Sequence, residues 1–117
     1  MSFKFEKLLV WQKAVDLSES VNRLTKTFPK DELFVLTSQI KRAADSVSLN
    51  IAEGSTGQSN PEFSKFIGYS IRSNIEVVGC LYLAQKREII SENDFNKIYQ
   101  QCNEILAMLN SLRNSLK

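Results

Sequence analysis

A chain of 117 residues is the size of one ordinary domain, and its 36 Leu, Ile, Val and Phe residues are enough for a packed core. Fifteen Lys and Arg against 13 Asp and Glu leave a formal charge of +2, which excludes a strongly basic nucleic-acid module but leaves room for a local basic patch. Histidine is absent, and with it His-based triads, HExxH zinc sites, zinc fingers and the Glu-x-x-His ligands of di-iron bundles.

The apolar run Leu8–Trp11 near the N-terminus is too short for a secretory h-region or a membrane span. Cys80 and Cys102 each fall inside a helical pattern, as reduced core thiols do. A cytoplasmic protein with no membrane partner is expected.

The only prolines, Pro29 and Pro61, stand at breaks between apolar-periodic segments, so four long helices are predicted. Helix 1 spans about 6–26 on the seam Val10, Ala14, Leu17, Val21, Leu24 and Phe28, widened by Trp11 and Val15. Helix 2 spans about 32–53 on Leu33, Leu36, Ile40, Ala43 and Val47, with Gly54 placed for a left-handed C-terminal cap. Ser59-Asn60-Pro61-Glu62 reads as a capping box opening helix 3, about 60–86.

Helix 3 is apolar over more than one stripe, from Phe63 and Phe66 to Leu83 and Ala84. A helix wetted on one face does not need that breadth. Either it is the most central helix, or it carries a second surface buried against another subunit. Gly68 and Gly79 within it imply close approach of another backbone, to offset about 1 kcal/mol each relative to Ala. Ser91 caps helix 4, about 92–115, whose seam Phe95, Ile98, Cys102, Ile105, Leu109, Leu112 and Leu116 is the cleanest heptad in the chain. Short connections make neighbours antiparallel, giving an all-α, up-down-up-down four-helix bundle over residues 1–117.

Chemistry is sparse. The loop Gly54-Ser55-Thr56-Gly57-Gln58 lacks the P-loop lysine and follows a helix rather than a strand, which makes it a polar turn. Asn50, Glu53 and Glu76 are candidates for a small-molecule or metal site. Their alternative role is to cap, to pair with Arg42 or Arg72, or to face solvent. No catalytic residue or cofactor is expected. Ser46, Asn50, Ser70, Ser73 and Asn74 lie beside the apolar seams, where such groups satisfy one another across helices and fix register; a ligand pocket is the sharper reading. Lys41, Arg42, Arg72, Lys86 and Arg87 form a modest cationic set, which repetition in a symmetric ring would multiply.

Four segments carry a resemblance, the last of them Phe63 through Glu76, which matches a family's third helix in pattern. Leu9-Val10-Trp11-Gln12-Lys13-Ala14 looks like the opening signature of a bacterial family, and Phe28-Pro29 through Gln39, Arg42 and Ser46 resembles its second-helix motif. Asn50-Ile51-Ala52-Glu53-Gly54 is similar to its most characteristic segment. The family is that of proteins encoded in intervening sequences of 23S rRNA genes, also called S23 ribosomal proteins. The resemblance implies a four-helix bundle assembling into a ring-like homopentamer. It also implies similarity in fold to the accessory protein of diversity-generating retroelements, a pentamer that binds reverse transcriptase and nucleic acid. A non-enzymatic oligomer binding structured RNA or an RNA–protein complex is the expectation, with a protein scaffold that never touches nucleic acid as the alternative.

Overall fold

The computed structural model describes residues 2–57 and 59–117. Helix α1 spans Leu9–Thr25, α2 Ser38–Gly54, α3 Asn60–Lys86 and α4 Glu92–Ser115. Successive helices are neighbours and α4 packs back on α1, closing an antiparallel bundle of 43 × 22 × 21 Å. The long axis matches the roughly 40 Å expected of the 27-residue α3.

The seams read from spacing form the core. Val10, Ala14, Leu17, Val21, Leu24 and Phe28 are all buried, as are Ile98, Cys102, Ile105 and Leu109 on α4. Two polar side chains pin α3 to its neighbours from inside. The Ser70 hydroxyl donates to the Val47 carbonyl at 2.7 Å, and Asn74 Nδ2 donates to the Cys102 carbonyl at 2.9 Å. The Ser and Asn side chains of α2 and α3 therefore bond backbone carbonyls and not one another, contrary to the expectation from sequence. Asn50 donates within its own helix, to the Ser46 carbonyl.

Helix 1 does not run unbroken from residue 6. Lys4–Lys7 is a separate 3-10 turn, and Leu8 is extended (φ −77°, ψ 120°) before α1 begins. Gln12 donates to the Glu6 carbonyl and Trp11 meets the Phe5 ring edge-on at 4.9 Å, so this segment folds back on α1. Only half of the expected capping box forms at α3, where Ser59 accepts from the Glu62 amide at 3.2 Å. Ser91 does the same for Asp94 at α4.

The start of helix 2 departs furthest. A 3-10 turn, Lys30–Glu32, leads into a π-helical turn, Leu33–Thr37, before regular α geometry sets in at Ser38. The wider turn changes the phase, so Leu36 is buried while Leu33 leaves the seam assigned to it and is 51% exposed. Glu32 holds the turn by accepting from the Leu36 amide.

The glycines are used differently from expectation. Gly54 is not in the left-handed region, since Gly57 alone of the described glycines has positive φ (89°). Gly54 is instead a crossing point. A Cβ there would lie 2.6 Å from Phe66 Cβ and 2.9 Å from Phe63 Cδ1. Gly68 faces the Arg113 side chain, and a Cβ on Gly79 would meet nothing within 4 Å, so neither admits another backbone of this chain. Helix α3 ends in a Schellman motif, with Glu88 at φ 59° and the Ile89 amide bonded to the Ala84 carbonyl.

Candidate nucleic-acid interface

The five expected cations do not make one patch. Lys41 lines the groove between α1 and α2, where Glu19 and Asp45 stand beside it. Arg42, its neighbour on α2, is exposed. Arg87 is ion-paired, its Nη1 lying 2.9 Å from Glu32 Oε1, and so ties the end of α3 to the π turn. Lys86 is exposed at that same end. Arg72 lies on the opposite side of the bundle from Lys41, in the groove between α3 and α4.

That second groove holds what sequence reading missed. Lys65, Arg72 and Arg113 line one cleft of about 530 Å³ with Ser64, Gly68 and Tyr69. The antiparallel register that sets Asn74 against Cys102 also sets the last turns of α4 against the first turns of α3. Arg113 is thereby brought across to Ser64, with Nε 3.4 Å from the hydroxyl. Its guanidinium lies over bare Gly68, with Nη2 3.2 Å from where a Cβ would stand. Lys65 Nζ sits 6.0 Å from the Tyr69 ring centroid, and Phe66 meets that ring edge-on at 5.6 Å. Among the described residues, Lys65, Arg72 and Arg113 enter no ion pair. The signal for this cleft was present in sequence as the seven-residue spacing of Lys65 and Arg72, plus the antiparallel pairing that a short connection imposes.

The carboxylate constellation does not form. Gln39 Nε2 donates to Glu76 Oε2 at 3.4 Å at one end of the α2–α3 pair, and Gly54 meets Phe63 and Phe66 at the other. Glu53 and Glu76 thus stand about 20 Å apart along the axis. Neither acid enters an ion pair with Arg42 or Arg72 among the described residues. Among the described residues no three His, Cys, Asp or Glu side chains gather as metal ligands. The remaining motif residues are structural: Trp11 anchors the N-terminal turn, Gln39 bridges to α3, Ser46 accepts from Asn50, and Gly54 permits the crossing.

Both cysteines are free and buried. Burial pushes the Cys102 thiol up to about 12 and the Cys80 thiol to about 11, the latter helped by the Glu76 charge and opposed by Arg87. Neither has the lowered pKa of a nucleophile. Among the described residues no helix is long and apolar enough to cross a membrane.

Uncovered large apolar side chains lie along the whole bundle, at Phe3 and Leu9 by the start of α1 and Leu49 on α2 as well as where α2 begins and along α3. Leu33, Phe34 and Val35 on the π turn are 51%, 89% and 55% exposed. Ile75, Tyr82 and Leu83 on the second half of α3 are also exposed. The breadth of apolar residues on α3 thus divides between the core and the surface.

A solved structure from Bacteroides thetaiotaomicron, described as a protein of unknown function from the S23 ribosomal protein family, superposes with a TM-score of 0.83. It is 24% identical and covers 90% of this chain and 98% of its own, a likeness that shows the fold. No curated protein matches the chain. The family model described as 23S rRNA-intervening sequence protein matches residues 6–111. With nearly every residue of the bundle inside that match, the chain belongs to the 23S rRNA-intervening sequence protein family.

Proposed function

We propose that this protein is a non-enzymatic, self-assembling helical bundle, a ring-like homopentamer that serves as a binding platform for structured RNA or an RNA–protein complex. The observation that carries it is the apolar surface left bare on one chain, at Phe34, Val35, Ile75, Tyr82 and Leu83. Isolated exposed apolar residues are ordinary, but a bundle that leaves this many large ones bare, Phe34 almost fully so, has surface for a partner to cover. Assembly repeats every cation with each subunit, so a chain of charge +2 acquires useful attraction for phosphate. Fold kinship to the retroelement accessory protein belongs to the same proposal.

The test is light scattering of the purified protein, with absorbance at 260 nm of the untreated preparation. A mass several times 13.3 kDa with carried nucleic acid supports the proposal. A monomer at all concentrations removes it. The second reading, a scaffold for proteins alone, draws on the 89% exposure of Phe34. Assembly with no affinity for RNA at low salt would select it.

A further inference from the structure

We infer that the cleft between α3 and α4 is a binding site for an unpaired segment of RNA, with the phosphodiester held by Arg72 and Arg113 and a base laid on Tyr69. This rests on the RNA reading above and assigns it to one place on the bundle.

Charge distribution singles out this groove. The α1–α2 groove offers Lys41 beside Glu19 and Asp45, and the α1–α4 groove offers Lys13 already bonded to Glu104 at 3.0 Å, with Asp16 adjacent. The α3–α4 cleft has three cations and no lining carboxylate. Glu62 and Glu76 are the acids of α3 that flank it, and Glu76 is engaged by Gln39 of α2. Unpaired guanidiniums hold a forked donor geometry suited to phosphate oxygens. Arg113 is positioned before any ligand arrives, because Ser64 fixes Nε and the missing side chain of Gly68 makes room for the rest. Less ordering of that side chain is then required on binding.

The aromatic member gives the cleft more than charge. Tyr69 is 38% exposed, and Phe66 braces its ring at an interplanar angle of 81°. A braced, half-open ring beside phosphate-binding cations is the arrangement by which proteins hold single strands. Acidic peptides would use the cations but gain little from the ring, and a duplex keeps its base faces stacked inside.

The experiment is fluorescence anisotropy of a fluorescein-labelled oligouridine of about 12 nucleotides, at about 50 and 200 mM KCl, with the full-length protein. Replacing Arg72→Glu and Arg113→Glu together should weaken binding by about tenfold or more and flatten the salt dependence. Lys26→Glu with Lys97→Glu, the same charge change elsewhere, should do much less. Tyr69→Ala should lose about tenfold, and Tyr69→Phe should restore it. Circular dichroism melts check that each variant is folded. Full binding by the Arg72/Arg113 variant, or a larger loss from Lys41→Glu with Arg42→Glu, overturns the cleft while leaving the RNA reading standing. No binding of oligouridine by the wild-type protein at the lower salt overturns the cleft alone, and failure to bind a labelled RNA hairpin as well overturns both. Polyglutamate binding as tightly as the RNA gives the cleft to acidic peptides instead.

Discussion

At its C-terminal end α2 approaches α3 so closely that an added Cβ on Gly54 would stand 2.6 Å from Phe66 Cβ, whereas ahead of its N-terminal end the chain widens into a π turn that leaves Phe34 89% exposed. One end is held by contact between side chain and bare backbone. The other is held by polar ties, the Arg87–Glu32 ion pair and the Glu32 cap on Leu36. Packing of the first kind is unforgiving of added atoms, because interiors are already close-packed. Ties of the second kind at partly exposed groups contribute little to stability. The contrast separates a closely packed end, which also holds the cationic cleft, from a looser end where the most exposed aromatic ring, Phe34, stands.

The largest expected effect tests the closed end. Gly54→Ala should destabilise by about 1–3 kcal/mol in urea unfolding, despite a helix-propensity gain of about 1 kcal/mol. A variant as stable as wild type would show that the crossing yields easily. The thiols probe the body between the ends, Cys80 lying one turn beyond Glu76 and so near the π turn. Both prefer the neutral form in the fold, with pKa values raised from 9.0 to about 11 and about 12. The unfolded chain therefore releases their protons first, so stability is intact below pH 9.0 and falls as pH rises toward those values. At about pH 10 the loss should be about 1 kcal/mol per thiol, read as a urea midpoint that shifts less in Cys80→Ala/Cys102→Ala. Rapid alkylation of native Cys80 near neutral pH would mean the loose end reaches the core.

Two smaller effects concern the open end. Glu88→Gly should stabilise by about 0.5–1 kcal/mol, since Glu88 occupies the left-handed position that glycine fills at no steric cost. A loss of stability would mean the Glu88 side chain secures this end in a way its backbone does not reveal. Phe34→Ser should change the unfolding free energy by no more than about 0.5 kcal/mol, yet lower the assembled mass seen by light scattering. A large loss in the isolated fold would contradict its exposure.

Periodicity made the core legible: the α1 seam lies buried as read, and α4 follows its heptad through Leu109. Leu33 failed because a seam extrapolated at regular spacing assumes an unbroken α-helix, and the π turn ahead of Ser38 shifts the phase so that Leu36 is buried and Leu33 is not. Gly54 was recognised as special for the wrong reason, since a glycine after the last periodic residue looks the same whether it caps a helix or admits a neighbour. Among the site residues, Arg72 was found, but Lys65, Tyr69 and Arg113 were not. Cations close in sequence are an unreliable guide when adjacent helical positions point about 100° apart. The cleft joins residues more than 40 positions apart, which only the register of α3 against α4 brings together.

The π turn has a consequence for how this surface can vary. Seating one residue more than a regular turn accommodates, it rotates everything ahead of it by roughly 100° relative to an uninterrupted helix. Leu36 marks where interior constraints resume. Residues 33–35 are thereby largely released from the interior, so substitutions there can alter the character of this end while the framework stays constant.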